Sequence, residues 1–151
     1  MIKYFLILTF IGLIFSTRLI DQKTSEDFPI SIEELRKRSY PESNLVIEET
    51  LTPGANYQRH IASYQSDELK IYGLLTIPNL SQPLNGFPTI IFLHGYVLPQ
   101  TYTPINYYVN DQDGLAKNGF ITFKPDFRGH GKSQGIPAKV HFSENYLFDT
   151  L

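Results

Sequence analysis

The chain of 151 residues contains no cysteine, and this absence excludes several kinds of site. Disulfides, thiolate metal ligands and a lipid-modified N-terminal cysteine are all ruled out. The sequence also lacks an excess of positive charge, because 13 Lys and Arg stand against 15 Asp and Glu, for a formal net charge of -2. This balance gives no electrostatic reason to expect binding to nucleic acid. Internal repeats and low-complexity segments are missing as well.

Apolar residues, in contrast, are plentiful. Hydrophobic side chains make up 42% of the chain and aromatic side chains 14%, which is ample for a packed core. The length suits one domain. We predict a globular protein that holds neither a metal ion nor a cofactor.

The N-terminus has the pattern of an export signal. Lys3 precedes an uncharged, apolar run over residues 4–17, and Arg18 follows it. A run of this length fits the apolar core of a signal peptide, roughly 7–15 residues, better than a spanning helix of about 20. We therefore predict that residues 1–20 are a signal peptide or an N-terminal membrane anchor and that the protein is exported. A buried first helix or strand is the alternative, and cleavage stays open because no Ala-x-Ala site is present.

A tether and a short helix are predicted over residues 21–44. The stretch from residue 18 to residue 27 is polar, and Ser31 and Glu34 have the spacing of a capping box. This spacing predicts a helix from Ser31 to about Arg38, which ends before Pro41. Residues 45–151 then form the domain that carries the function.

Three stretches with alternating polarity open this domain, at residues 45–51, 57–64 and 69–77. Turn-forming residues separate them, so they are predicted to be antiparallel strands. Two later runs, at residues 89–93 and 119–124, are nearly continuous in apolar residues. A helix ending at Asn118 lies between them, which predicts a βαβ unit with parallel strands covered on both faces. The predicted fold class is therefore α/β.

Ligands of parallel sheets bind beyond the carboxyl ends of the strands. Two glycine-containing segments follow the two apolar strands: His94-Gly95-Tyr96 and the glycine-rich loop (residues 126–135). The loop contains the G-x-S-x-G pattern at Ser133, but that pattern marks a nucleophile only in a sharp turn between a strand and a helix. Ser133 lies several residues beyond the strand, and Pro137 follows. A phosphate-binding loop is also excluded, because its first glycine is replaced by Asp126.

These two segments, in this order, resemble the α/β-hydrolase fold. The closest resemblance is to the prolyl oligopeptidase-like serine hydrolases, which include acylaminoacyl-peptidases and dipeptidyl-aminopeptidases, and it covers about residues 57–151. It implies that His94, Gly95 and Tyr96 form the oxyanion hole, with the Tyr96 backbone N–H as the main donor. It also implies that Asp126 and Arg128 tie the glycine-rich loop down by hydrogen bonds and ion pairing.

The remaining histidines have no catalytic role in this interpretation. His130 is predicted to pack within the loop, and His60 and His141 to be structural or solvated. The resemblance places Ser, Asp and His of a triad after the helix that begins near Glu144, so the nucleophile, the acid and the base are expected outside this sequence. Residues 45–151 are thus predicted to be the N-terminal portion of an α/β-hydrolase domain.

The function expected from the resemblance is that of a fragment of an exported serine hydrolase. It would act on peptide or small ester substrates by acyl-enzyme chemistry and be inactive alone, and a membrane would be its partner only if the N-terminal segment stays uncleaved. Two alternatives stay open. One is a non-catalytic binding module on the same scaffold, and the other is a small enzyme that uses Ser133, Asp126 and His130 or His141.

Overall fold

The computed structural model describes residues 31–138 and 143–151. The predicted signal peptide or anchor and His141 lie outside these residues. Helix α1 (Ile32–Lys37) begins where the capping box predicts it, because the Ser31 hydroxyl accepts a hydrogen bond from the backbone N–H of Glu34 at 3.1 Å. This contact satisfies one of the amides that the first turn of a helix leaves without a backbone partner.

Five strands form one sheet in the described part of the chain. In sequence they are β1 (Val46–Thr50), β2 (Tyr57–Ser66), β3 (Leu69–Pro78), β4 (Thr89–Ile91) and β5 (Ile121–Pro125). Their spatial order is β1-β2-β3-β5-β4. Helix α2 (Val109–Lys117) connects β4 to β5, and helix α3 (Glu144–Phe148) follows the glycine-rich loop.

The predicted fold class is wrong. Of the four strand pairings among the described residues, β1–β2, β2–β3 and β3–β5 are antiparallel and β4–β5 is parallel, so the sheet is mixed and mostly antiparallel. The prediction assumed that two apolar runs form the centre of a parallel sheet. In the structure β4 has three residues and lies at the edge, whereas the two strands of ten residues, β2 and β3, dominate the sheet. Since β5 pairs with β3 as well as with β4, its apolar character reflects a central position in a mixed sheet.

A tight hairpin joins the two long strands. Asp67 and Glu68 form its two-residue turn, with φ angles of 47° and 64°, and the register places Ser66 opposite Leu69. Two successive positive φ angles define the type I′ turn, whose twist matches that of the flanking strands. Aspartate tolerates the left-handed region because its side chain can bond locally, but glutamate has no such advantage.

Replacement of Glu68 by glycine is therefore expected to stabilise the protein. The Asp-Gly pair is among the sequences preferred in this turn, and relief of the left-handed strain at an exposed position is worth about 1 kcal/mol. The free energy of unfolding from urea titration measures the gain. Glu49→Gly, the same change near the end of the exposed strand β1, is the matched control and is expected to destabilise.

The two faces of the sheet differ. Helix α2 covers one face, where its buried Gln112 donates to the carbonyl of Leu74 at 3.1 Å and to the hydroxyl of Thr122 at 2.9 Å. The opposite face carries an apolar cluster formed by Ala62, Leu75 and Phe123. Because alternate residues of a strand point to opposite faces, Thr122 and Lys124 of β5 lie on the helix side.

Candidate functional site

The His94-Gly95-Tyr96 segment lies just beyond the end of β4. The backbone N–H of Phe92 still donates to the carbonyl of Phe123 at 2.8 Å, so the pairing with β5 extends one residue past the strand. The glycine-rich loop leaves the same end of β5, because the two strands are parallel. The structure therefore brings together the two segments that the sequence analysis singled out.

The His94 side chain is buried within an aromatic cluster. Its ring stacks on Tyr102 with 4.7 Å between centroids and lies 4.6 Å from Phe127 and 5.4 Å from His130. Its Nδ1 lies 2.8 Å from the carbonyl oxygen of Gly95, whereas Nε2 is buried without a partner among the described residues. Burial lowers the pKa of His94 to about 4, so the ring is neutral at pH 7 and fixes the segment by packing.

Gly95 and Tyr96 are exposed, whereas His94 is buried. A Cβ at position 95 would come within 2.7 Å of the hydroxyl of Tyr108, so any larger residue would displace that side chain. Tyr96 is 65% exposed. The segment thus has a buried first residue and an exposed third residue.

Ser133 is held as a structural residue. Its hydroxyl donates to the carbonyl of Asp126 at 2.5 Å and accepts from the backbone N–H of Tyr72 at 2.9 Å. Ser133 is only 8% exposed; its contact with Asp126 lies within the loop, and its contact with Tyr72 fastens the loop to β3. The backbone N–H of Ser133 donates to the carbonyl of His130 at 2.9 Å, but no described contact joins the Ser133 hydroxyl to the His130 ring. The nitrogens of that ring lie 3.3 Å from the carbonyl oxygens of Arg128 and Val97.

Arg128 and Asp149 form a buried ion pair that ties the loop to the end of α3. The guanidinium Nη2 of Arg128 lies 2.7 Å from Oδ1 of Asp149, and the Arg128 backbone N–H donates to Oδ2 at 2.8 Å. The Ser66 hydroxyl also donates to this carboxylate, at 3.1 Å. A second contact joins Arg128 to Asp67 at 3.0 Å. Arg128 therefore ties the loop to the β2–β3 hairpin and to the C-terminal helix.

Two buried residues beside the site, Tyr102 and Lys124, were not predicted from the sequence. The Tyr102 hydroxyl donates to Oδ1 of Asp126 at 2.5 Å, and the Lys124 ammonium donates to the carbonyl of Pro104 at 2.8 Å and to that of Tyr107. The side chain of Lys124 is fully buried. The signal for it was present, since Lys124 is the one charged residue in an apolar strand.

A groove of about 650 Å³ lies on the sheet face opposite α2. Its floor is apolar and includes Leu75, Ile77 and Phe123, and its rim includes Arg38 and Phe148. The guanidinium of Arg38 stacks on the Phe148 ring at 3.3 Å from its centroid. The groove and the His94-Gly95-Tyr96 segment are thus distinct features of residues 37–151.

His60 has a structural contact. Its Nδ1 lies 3.1 Å from the hydroxyl of Thr50 on the neighbouring strand, and the residue is 8% exposed. Within residues 31–138 and 143–151, no three His, Asp or Glu side chains are placed to hold a metal ion, and no helix has the length and apolar character needed to cross a membrane.

Comparison with known proteins assigns no family to the chain. No protein-family model matches it, and no curated protein is significantly similar to it.

Proposed function

We propose that the His94-Gly95-Tyr96 segment is the oxyanion-binding element of a serine hydrolase that acts on peptide or small ester bonds. One observation carries the proposal: a buried aromatic cluster anchors His94, and two residues later Tyr96 is exposed at the strand end where the glycine-rich loop also begins. A backbone N–H held by such an anchor is preorganised for the charge of a tetrahedral intermediate and needs no rearrangement during the reaction.

The contacts of the glycine-rich loop support this assignment of roles. Asp126, Arg128 and Ser133 are buried and bonded to the protein itself, so the loop serves as a support and offers no nucleophile. His94 is buried, and its pKa, lowered by burial to about 4, makes it a weak general base. The proposal therefore requires a nucleophile, a base and an acid that the described residues do not supply.

Export belongs to the same proposal. The apolar run over residues 4–17 supports an extracytoplasmic enzyme, secreted or anchored by residues 1–20. Substrates would be peptides or small esters that reach the exposed Tyr96 from solvent, and the reaction would proceed through an acyl-enzyme without a cofactor.

Substitution of Tyr96 by proline tests the role of its backbone N–H. In the polypeptide encoded by the complete open reading frame, Tyr96→Pro is expected to lower kcat about 10²–10³-fold, because proline removes the donor. Tyr96→Phe keeps the N–H and the ring and is expected to retain nearly full activity. Hydrolysis of p-nitrophenyl acetate and of an N-acetylated peptide p-nitroanilide measures both variants. Equal activity of the two variants would contradict the assignment, provided that both melt like the wild type.

A non-catalytic binding module is the second candidate, and the apolar groove favours it. A cavity of about 650 Å³ is large enough for a drug-sized ligand or several side chains of a peptide. The two candidates make different predictions for a serine-directed inhibitor. A hydrolase is inactivated by it, whereas binding in the groove is unaffected.

A further inference from the structure

The segment between β4 and α2, residues 94–108, is attached to the sheet mainly through side chains. Its own backbone hydrogen bonds are local: the amides of Thr101 and Tyr102 both donate to Leu98, and that of Asn106 donates to Thr103. None of these contacts connects the segment to a strand, and one further contact, between the Val97 carbonyl oxygen and Nε2 of His130 at 3.3 Å, connects it to the glycine-rich loop. The polar attachment to the sheet must therefore come from elsewhere.

Two charged residues at the end of β5 provide that attachment. Lys124 donates to two carbonyls of the segment, those of Pro104 and Tyr107, and Asp126 accepts the hydroxyl of Tyr102. Lys124 and Asp126 both have 0% exposure. Oδ2 of Asp126 has no hydrogen-bond partner within the described residues. A buried carboxylate oxygen without a hydrogen-bond donor raises the free energy of the closed segment, so this attachment is weakened by the burial of Asp126.

We propose that residues 94–108 form a flap over the ends of β4 and β5, latched by Lys124 and Asp126, and that the flap opens most readily when both latch residues are charged. Opening returns the ammonium and the carboxylate to water, whereas closure removes both from it. The latch is therefore weaker when Lys124 and Asp126 are both charged than when either of them is neutral. Because the flap includes His94, Gly95 and Tyr96, its opening would also move the exposed Tyr96.

The direction in which pH changes the opening of the flap follows from the pKa values of Asp126 and Lys124. Burial raises the pKa of Asp126 from 3.8 to about 6, so the closed flap binds a proton more tightly than the open one, and opening is suppressed as the pH falls below 6. Burial lowers the pKa of Lys124 from 10.5 to about 8, so opening is also suppressed as the pH rises above 8. The flap is expected to open most between pH 6 and 8.

Other titratable groups surround the latch. Tyr102 and His94 belong to the flap, His130 to the glycine-rich loop, and Arg59 and Tyr64 to β2. Burial raises the pKa of Tyr102, and it lowers that of His94 to about 4. Neither of these two flap groups changes charge between pH 5 and 8. His130 also faces the flap, and the Asp126→Asn variant separates the effect of Asp126 from any effect of His130.

Amide hydrogen exchange of the whole chain between pH 5 and 8 tests the proposal. After correction for intrinsic exchange rates, the opening equilibrium constant of peptides within residues 94–108 is expected to fall about tenfold from pH 7 to pH 5. This factor follows from a pKa of Asp126 of about 6 in the closed flap and of 3.8 in the open flap. Peptides from the β2–β3 hairpin serve as the internal reference for global unfolding. Asp126→Asn is expected to abolish this dependence and to slow opening at pH 7.

A second variant keeps the test decisive if Asp126→Asn does not fold. The Lys124 ammonium lowers the pKa of Asp126, so Lys124→Met is expected to move the pH dependence to higher pH. A flap that exchanges independently of pH in the wild type would overturn the proposal. So would an unchanged pH profile in either variant. Opening of the flap depends on the burial of Lys124 and Asp126 and is expected whether or not the segment binds an oxyanion.

Discussion

Asp149→Ala is expected to destabilise the protein by about 3–5 kcal/mol. The substitution leaves the buried guanidinium of Arg128 without its nearest counter-ion, and removal of one partner from a buried ion pair has this cost. It also deprives the Arg128 amide of its acceptor and removes one of two acceptors of the Ser66 hydroxyl, which keeps the carbonyl of Phe148 at 3.1 Å. The free energy of unfolding from urea titration, followed by far-UV circular dichroism, measures the effect.

An exposed ion pair provides the control. Lys117 pairs with Asp113 one turn earlier in α2, and both side chains are at least 30% exposed. Lys117→Ala is therefore expected to cost less than about 0.5 kcal/mol. The double variant Arg128→Met/Asp149→Ala should recover part of the loss, because no unpaired charge remains buried. A loss below 1 kcal/mol for Asp149→Ala would show that the buried pair does not hold the loop.

Gly129→Ala is expected to destabilise by about 2–5 kcal/mol. Gly129 has a φ of +73°, where any side chain is strained, and a Cβ there would lie 2.3 Å from the backbone nitrogen of Pro137. Backbone atoms cannot move aside as a flexible side chain can. The glycine-rich loop would have to shift, and the contacts of Arg128 and Ser133 would shift with it.

Gly114→Ala is the matched control, and it is expected to increase the stability that Gly129→Ala decreases. Gly114 lies exposed in α2, its φ is not positive, and nothing stands within 4 Å of an added Cβ. Alanine is expected to stabilise the helix by about 1 kcal/mol. Thermal melts of the two variants, run side by side, separate a backbone requirement at Gly129 from a general effect of glycine removal. Equal shifts in Tm would contradict this explanation.

Local features of the fold were predictable from the sequence, whereas strand pairing was not. The two antiparallel pairings of β1, β2 and β3 follow from alternating polarity and turn residues, which act over a few positions. The insertion of β5 between β3 and β4 depends on contacts such as Leu75 with Phe123, separated by about 50 positions. No local pattern encodes such a pairing, which is why an α/β class was predicted for a mixed, mostly antiparallel sheet.

In the candidate site, too, the features that depend on nearby residues were predictable and the contacts between distant residues were not. His94 and the glycine-rich loop were found because glycines after apolar strands mark loops at a sheet end. Tyr102 was missed because its partner Asp126 is 24 positions away, and nothing near Tyr102 in the sequence indicates the contact. Lys124 could have been noticed, since an isolated lysine in a strand otherwise suited to the core must find acceptors.

Labelling with a fluorophosphonate tests the central claim most directly. The protein that contains this sequence would be captured by antibody from the organism that encodes it, after treatment of intact cells with a biotinylated probe. The account predicts one labelled serine, outside residues 31–138 and 143–151, and protection of that serine by a competing ester or peptide substrate. An unlabelled protein, or a label on Ser133, would contradict the proposal that His94-Gly95-Tyr96 serves a serine hydrolase.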